Sequence, residues 1–209
     1  MPPQAANPVG KLLGLLKRRN VAFAMLGVML TFAGAFATFT YLRPFLETCG
    51  RVSVPQLSLL LLGLGSAGFI GTYGASKFAG RRLYLLIGGL PIALGAVTLC
   101  LLALAHSLWG VAILMIAWGA VNSAIPVAWS TWLTKGISDE PESGGGLMVG
   151  AIQLSILLGA AFGGSLLDHI SIAATLIGGT VLLVLASLIV GNGDRIKPLN
   201  SKEIEEEFR

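Results

Sequence analysis

The sequence predicts an all-α integral membrane protein with six transmembrane helices. Only 11% of its 209 residues are charged and 55% are hydrophobic, whereas soluble domains contain about 25% charged residues. The charges lie in short islands between long uncharged runs. A helix needs about 20 apolar residues to cross the hydrocarbon, and every run reaches that length. The runs cover residues 21–42, 52–76, 83–134, 143–167 and 170–193.

The third run is long enough for two spans, and the segment AHSLWG marks the turn between them. The predicted spans lie near 21–42, 55–76, 83–105, 108–131, 146–167 and 171–191. They form a bundle over 21–192, preceded by a cytoplasmic linker with a basic amphipathic segment (1–20) and followed by a cytoplasmic tail (193–209).

The start of the chain has a second interpretation. The basic KRRN, the apolar residues 21–34 and the small AFA at 35–37 also fit a signal peptide. Its removal would leave five spans. The apolar run continues to residue 42, however, which is long enough to span a membrane.

Basic residues are distributed unequally between the two predicted sides of the membrane. Six spans put both termini on one side, where 12 of the 14 lysines and arginines fall, and the other side has only Arg43 and Arg51. Such an excess is typical of the cytoplasmic side, so both termini are predicted to be cytoplasmic. The net charge of +4 is therefore explained by topology, and no nucleic-acid partner is predicted.

The polar residues of the spans predict an internal repeat. Strongly polar side chains occur in or beside spans 1, 2, 4 and 5, where they are Arg43, Gln56, Asn122 and Gln153. Spans 3 and 6 have only threonine, serine and cysteine. Because polar side chains in a bilayer face a bundle interior or a water-filled cavity, the pattern predicts a 3+3 inverted-repeat bundle, as in transporters.

Arg43 at the outer end of span 1 has two interpretations. It can simply end the helix at the interface, with its charged head in water. It can also line the outer mouth of a solute cavity together with Tyr41, pairing with Glu47 or Asp168 as an outer gate. In the second case, we expect the guanidinium to donate hydrogen bonds to a solute.

Spans 4 and 5 supply the other predicted cavity residues. Trp118, Asn122 and Trp129 are spaced four and seven residues apart, so a straight helix places them on one face. Aromatic faces and an amide suit a flat solute that forms hydrogen bonds. Gln153 in span 5 is expected to face the same interior.

The residues that would indicate an enzyme are missing from the sequence. It has no nucleophile–base pair and no metal-ligand spacing, so no catalytic residue, metal or cofactor is predicted. No Asp, Glu or Lys lies deep in a span. A proton-coupled transporter generally uses intramembrane acids or histidines, so any proton coupling is expected to need another part or chain.

Several segments together resemble one family. They are FTYLRPFLE, FIGTYGASKF, PVAWSTWLTK and IQLSILLGAAFGGSLLD, and the loop KFAGRR resembles the conserved cytoplasmic loop of the major facilitator superfamily. In that loop Lys77 stands where the superfamily motif has Asp, while Gly80, Arg81 and Arg82 follow it. The chain is similar to the C-terminal half of bacterial purine ribonucleoside efflux pumps of the drug:proton antiporter group.

The resemblance implies a secondary active transporter of the bacterial inner membrane. It would export inosine-like nucleosides in exchange for protons, by alternating access, together with an N-terminal six-span half. Two alternatives stay open. Six-span chains could assemble to export another small solute such as a sugar or drug, or the chain could be a truncated remnant that does not transport.

Overall fold

The computed structural model describes residues 14–50 and 52–198, and this part of the chain is helical with no strand. Five long helices are followed by a short 3-10 helix, Asp194–Ile196. The long helices are α1 (Arg19–Thr48), α2 (Val54–Ala103), α3 (Leu108–Gly136), α4 (Pro141–His169) and α5 (Ile172–Val190). Each is long and apolar enough to cross a membrane. The prediction of an apolar helical bundle is therefore confirmed, while the predictions for residues 1–13, 51 and 199–209 lie outside the described residues.

Short polar side chains start three of these helices. Ser107 accepts a hydrogen bond from the amide of Gly110 at the start of α3, and Ser171 accepts one from Ala174 at the start of α5. Ser53 and Gln56 form a capping box before α2. The Gln56 side chain therefore accepts a hydrogen bond from the backbone at the start of its own helix. Its presence is for this reason weaker evidence that span 2 faces the interior of the bundle.

Helix α2 contains two of the predicted spans, which meet at a sharp turn at Arg82. The backbone there is non-helical, with φ −131° and ψ 39°. Trp118 donates a hydrogen bond to Thr98, and the neighbouring Gly119 lies against the backbone of Leu64. In a straight helix Leu64 and Thr98 would be about 50 Å apart. The first arm of α2 (54–81) and the second arm (83–103) therefore both lie beside α3.

Close packing between α1 and its neighbours uses small residues. A Cβ atom at Gly159 of α4 would collide with the backbone of Ala33, and one at Gly34 would lie 2.6 Å from the carbonyl oxygen of Gly179 in α5. Gly163, four residues after Gly159, lies against the ring of Tyr41. Gly159 and Gly163, four residues apart, therefore form a GxxxG pair that lets α4 approach α1 closely.

The helices differ in how much of their surface the bundle covers. In its most apolar stretch α1 is 61% buried, whereas α4 is only 17% buried. Helix α1 is therefore the centre of the described part, and α4 presents most of its surface outward.

Two alanine substitutions on α4 should separate close packing from helix propensity. Gly159→Ala should destabilise the bundle by about 1–3 kcal/mol because the new methyl meets the Ala33 backbone, despite the gain in helix propensity. Gly150, which has open space around it, is the matched control, and Gly150→Ala should be neutral or stabilising. Thermal unfolding in detergent measures both, and equal effects would contradict this packing role.

Candidate functional site

An exposed groove with hydroxyl groups runs between the first arm of α2 and α3. This hydroxyl groove is lined by Gly65, Gly68, Phe69, Thr72, Tyr73, Ser76 and Ser123. The Thr72 hydroxyl donates to the Ser123 carbonyl at 3.5 Å, which holds the two helices in register. Gly68 leaves room for the Ser123 side chain, since a Cβ there would lie 2.6 Å from its hydroxyl oxygen. The groove can form hydrogen bonds but has no charged lining residue.

An aromatic stack connects α1 with α3. Phe39 lies parallel to Trp118, with 5.7 Å between ring centres and 14° between planes. Trp118 is fully buried, whereas Phe39 is 42% exposed. Phe36 meets the Phe39 ring edge-on at 6.0 Å. Phe39 is therefore supported from behind and from the side while the rest of its ring stays open, which suits stacking with a flat solute.

The two predicted cavity tryptophans lie inside the bundle in this conformation. The Trp118 indole donates to Thr98 at 3.2 Å. Trp129 is 1% exposed, packs edge-on against Trp132 and lies beside Gly27. Neither ring presents a surface to a solute here. The regular spacing in α3 identified one face of the helix correctly, but that face is an internal one.

The remaining predicted cavity residues are dispersed. Tyr41 is half-buried between α1 and α4, where its hydroxyl donates to the Ala160 carbonyl at 2.9 Å. Asn122 is half-buried on α3, and Gln153 is exposed on α4. The structure therefore joins Tyr41 to α4 but does not join the six predicted residues into one enclosed cavity.

Arg43 and Glu47 form an ion pair near the C-terminal end of α1. Arg43 Nε lies 2.8 Å from Glu47 Oε1, one turn along the helix, and their side chains are 66% and 40% exposed. Of the two predicted acidic partners, Glu47 is thus in contact, and Asp168 is exposed at the end of α4. Phe39 precedes Arg43 by one helical turn, so the aromatic stack and the ion pair occupy one side of α1.

The predicted cytoplasmic loop 77–82 forms the turn between the arms of α2. Lys77 lies over the Tyr73 ring, with its amine 4.4 Å from the ring centre. The amine of Lys135, at the end of α3, lies 3.4 Å from the Gly80 carbonyl oxygen and donates to it. Arg82 provides the backbone break, and Arg81 is exposed.

A second ion pair ties the start of α1 to the connection between α3 and α4. Arg18 Nη2 lies 2.6 Å from Asp139 Oδ2. The hydrogen bond from Arg18 is the main reason why the pKa of the Asp139 carboxyl lies below its usual value, although partial burial opposes the shift. This contact fixes the basic segment at the same end of the bundle as Lys135.

Sequence reasoning missed Phe39 and the hydroxyls of the groove. Phe39 was masked by many other phenylalanines, although its position one turn before Arg43 was a usable signal. Threonine and serine are common in packed membrane helices, so the sequence does not distinguish the hydroxyl residues of the groove from those that only pack. In the described part of the chain, no group of three or more His, Cys, Asp or Glu residues could hold a metal ion.

Known proteins of two different names are among the relatives of this chain. The chain is 34% identical over 200 residues to the purine ribonucleoside efflux pump NepI of Salmonella enteritidis, covering 96% of this chain and 50% of that protein. It is 38% identical over 175 residues to the transcription regulatory protein OpdE of Pseudomonas aeruginosa, covering 84% and 44% respectively. No protein-family model matches. The chain therefore spans about half the length of the curated relatives it matches.

The Arg18–Asp139 pair should give a pH-dependent contribution to stability. Because the folded-state pKa of Asp139 is lowered, the contribution is complete above the unfolded pKa of about 3.9 and is lost as the pH falls through the folded value. At pH 7 Asp139→Asn should cost at most about 1 kcal/mol, since the carboxylate is half exposed. At acid pH the variant and the parent should converge.

Thermal unfolding across pH, at low and high salt, measures this difference. Asp168→Asn removes a carboxylate at the other end of the bundle and serves as the control. A constant gap between Asp139→Asn and the parent down to the most acid pH would contradict the ion-pair explanation.

Proposed function

We propose that this chain forms half of an exporter of purine ribonucleosides. It is homologous over nearly its whole length to the purine ribonucleoside efflux pumps, which are major facilitator superfamily transporters. That homology and the five long apolar helices support a role in membrane efflux. The substrate, the coupling ion and the topology are proposed together with that role.

In the proposed topology the chain crosses a bacterial inner membrane six times, and both of its ends lie in the cytoplasm. The reversal of α2 at Arg82 supports the six crossings, because each arm is long enough for one. Lys135 contacts the turn of α2, and Arg18 contacts the α3–α4 connection, so several basic residues gather at one end. The excess of basic residues at that end supports a cytoplasmic orientation.

The observation behind the substrate proposal is the half-open Phe39 ring supported by Trp118. A purine is flat, and stacking of a base on an aromatic side chain contributes about 1–3 kcal/mol in other proteins. Thr40 is exposed next to Phe39, and the Arg43–Glu47 pair follows within two turns. These side chains offer a donor, an acceptor and a hydroxyl for ribose and base edges.

The proposed mechanism is alternating access around a site shared with a second six-span half. The small buried fraction of α4 and the exposure of its Gln153 support a partner bundle that covers this helix. Proton antiport would rely on an acid outside this chain's spans, because their uncharged interiors offer none. Arg43 with Glu47 would act at the outer mouth, where ion pairing changes between states.

Substitutions on α1 should impair export without removing the protein from the membrane. Phe39→Ala should lower inosine export about tenfold through lost stacking, and Arg43→Ala should lower it as well. Phe78→Ala, an exposed phenylalanine at the other end of the bundle, is the control. The variants are introduced into the chromosomal gene, and radiolabelled inosine efflux is measured against the amount of membrane protein.

Export at the parental rate in both α1 variants would contradict this site. The proposal of a nucleoside substrate fails if the parent strain exports inosine at the same rate as a deletion strain but exports a sugar or drug faster than that strain. If it exports none of them, the remnant interpretation is favoured.

The size of the native polypeptide should be measured first. An antibody to the C-terminal tail applied to native membranes should detect a band at about twice the calculated 21.7 kDa if both halves are one polypeptide. A band near 21.7 kDa would mean that this half is made alone, either with a partner (a second copy or a separately encoded half) or as a remnant. Crosslinking of the native membranes then separates an assembly from an isolated remnant.

A further inference from the structure

A pocket lies where the start of α1 meets the 3-10 helix after α5. It is lined by Arg19, Asn20, Asp194, Arg195 and Lys197. It is at the opposite end of α1 from Arg43, so it is separate from the proposed solute site. Three of its five lining residues are cations and one is an anion, which gives the pocket an excess of positive charge.

Asn20 gives this pocket an unsatisfied acceptor. The residue is only 5% exposed, and within the described part of the chain its Oδ1 atom is buried with no hydrogen-bond partner. An acceptor left unpaired away from water is destabilising. The atom is sealed from solvent in this conformation, so a ligand with a hydroxyl group beside its anionic group would supply the missing donor after a small shift of the side chains that cover it.

The arginines of the pocket are held in place by the fold. The guanidinium carbon of Arg195 lies 5.7 Å from the centre of the Phe23 ring, and that of Arg19 lies at the same distance from this ring. Arg195 also donates to the Ile189 carbonyl at 3.3 Å. Asp194 is paired with Lys197 at 2.5 Å, so the acid is already neutralised locally and does not balance Arg195.

The position of the pocket favours a lipid over a soluble anion. It lies beside the first apolar turns of α1, at the end where Lys17 and Arg18 precede the helix. Basic side chains at this depth attract anionic headgroups of the cytoplasmic leaflet. A phosphodiester could be held by Arg195 and Arg19 while its acyl chains remain in the bilayer.

We propose that this pocket binds the headgroup of an anionic phospholipid that carries a free hydroxyl, of the phosphatidylglycerol type. Arg195, assisted by Arg19, holds the phosphate, and Asn20 Oδ1 accepts a hydrogen bond from the glycerol hydroxyl. The site requires no transport activity, so it stands or fails independently of the exported solute.

Lipid retention by the full chain tests the proposal. The chain is placed in nanodiscs of phosphatidylcholine with equal small amounts of phosphatidylglycerol and phosphatidylethanol, a phosphodiester without a hydroxyl, and bound lipids are identified by native mass spectrometry. Phosphatidylglycerol should be retained about fivefold more than phosphatidylethanol, the expected effect of one neutral hydrogen bond. Both should exceed phosphatidylcholine.

Two variants separate the phosphate from the hydroxyl. Arg195→Gln should reduce retention of both anionic lipids about tenfold, as expected for a charge-assisted hydrogen bond. Asn20→Leu should retain both equally. The control Arg81→Gln removes an exposed arginine from the α2 turn and should change neither. Arg195 is exposed, so its variant is expected to fold even if the buried Asn20 substitution does not.

Three results would overturn the proposal. Equal retention of phosphatidylglycerol and phosphatidylcholine by the parent would remove the site. An equal loss in Arg81→Gln and Arg195→Gln would leave only general attraction between charges. Displacement of phosphatidylglycerol by millimolar glycerol 3-phosphate would assign the pocket to soluble phosphate esters instead of lipid.

Discussion

The close approach of backbones around α1 is the constraint on which the rest of the structure depends. In lipid there is little hydrophobic drive to bring helices together, so contact area and small side chains must do so. Gly34 against Gly179 and Gly159 against Ala33 bring α5 and α4 onto α1. Only at this separation can the Tyr41 hydroxyl reach the Ala160 carbonyl on α4. The same central helix presents Phe39 to Trp118 on its other side.

The turn at Arg82 has a comparable effect on the second part of the bundle. It lets one α-helical element cover α3 with two arms, one running in the direction of α3 and the other against it. The first arm forms the hydroxyl groove through Thr72 and Ser123, and the second provides Thr98 as the acceptor for Trp118. The outward-facing groove and the internal support of the stack therefore depend on one non-helical residue.

Much of the fold could be predicted from the sequence, because the uncharged runs and their basic boundaries reflect the cost of placing charge in lipid. The boundaries of α3, α4 and α5 follow these runs closely. The turn at Arg82 was expected as a loop, yet helical hydrogen bonding continues almost through it. Composition cannot reveal that difference, since the turn depends on one backbone conformation and the contact of Lys135 with Gly80.

The candidate site was less predictable than the fold. Helical spacing correctly grouped Trp118 and Trp129, but it cannot say whether a face meets another helix or an open cavity. That depends on which helix covers it, here α1 through Phe39 and Gly27. The polar residue Gln56 shows that polarity is an equally limited guide. A side chain in the first turn of a span can form a hydrogen bond with the backbone at the end of its own helix, without facing a cavity.

The Phe39–Trp118 stack also gives the bundle an intrinsic fluorescent probe of its own packing. Trp118 is a chromophore sealed from water, with its indole N–H bound to Thr98 and one ring face against Phe39. Any molecule or partner helix that shifts Phe39 alters the electronic surroundings of that indole. Trp129 and Trp132 are buried as well, whereas Trp109 is 81% exposed, so Trp118 is the sole emitter once these three are replaced. The emission of such a single-tryptophan protein would register rearrangement of α1 against α3 without an attached dye.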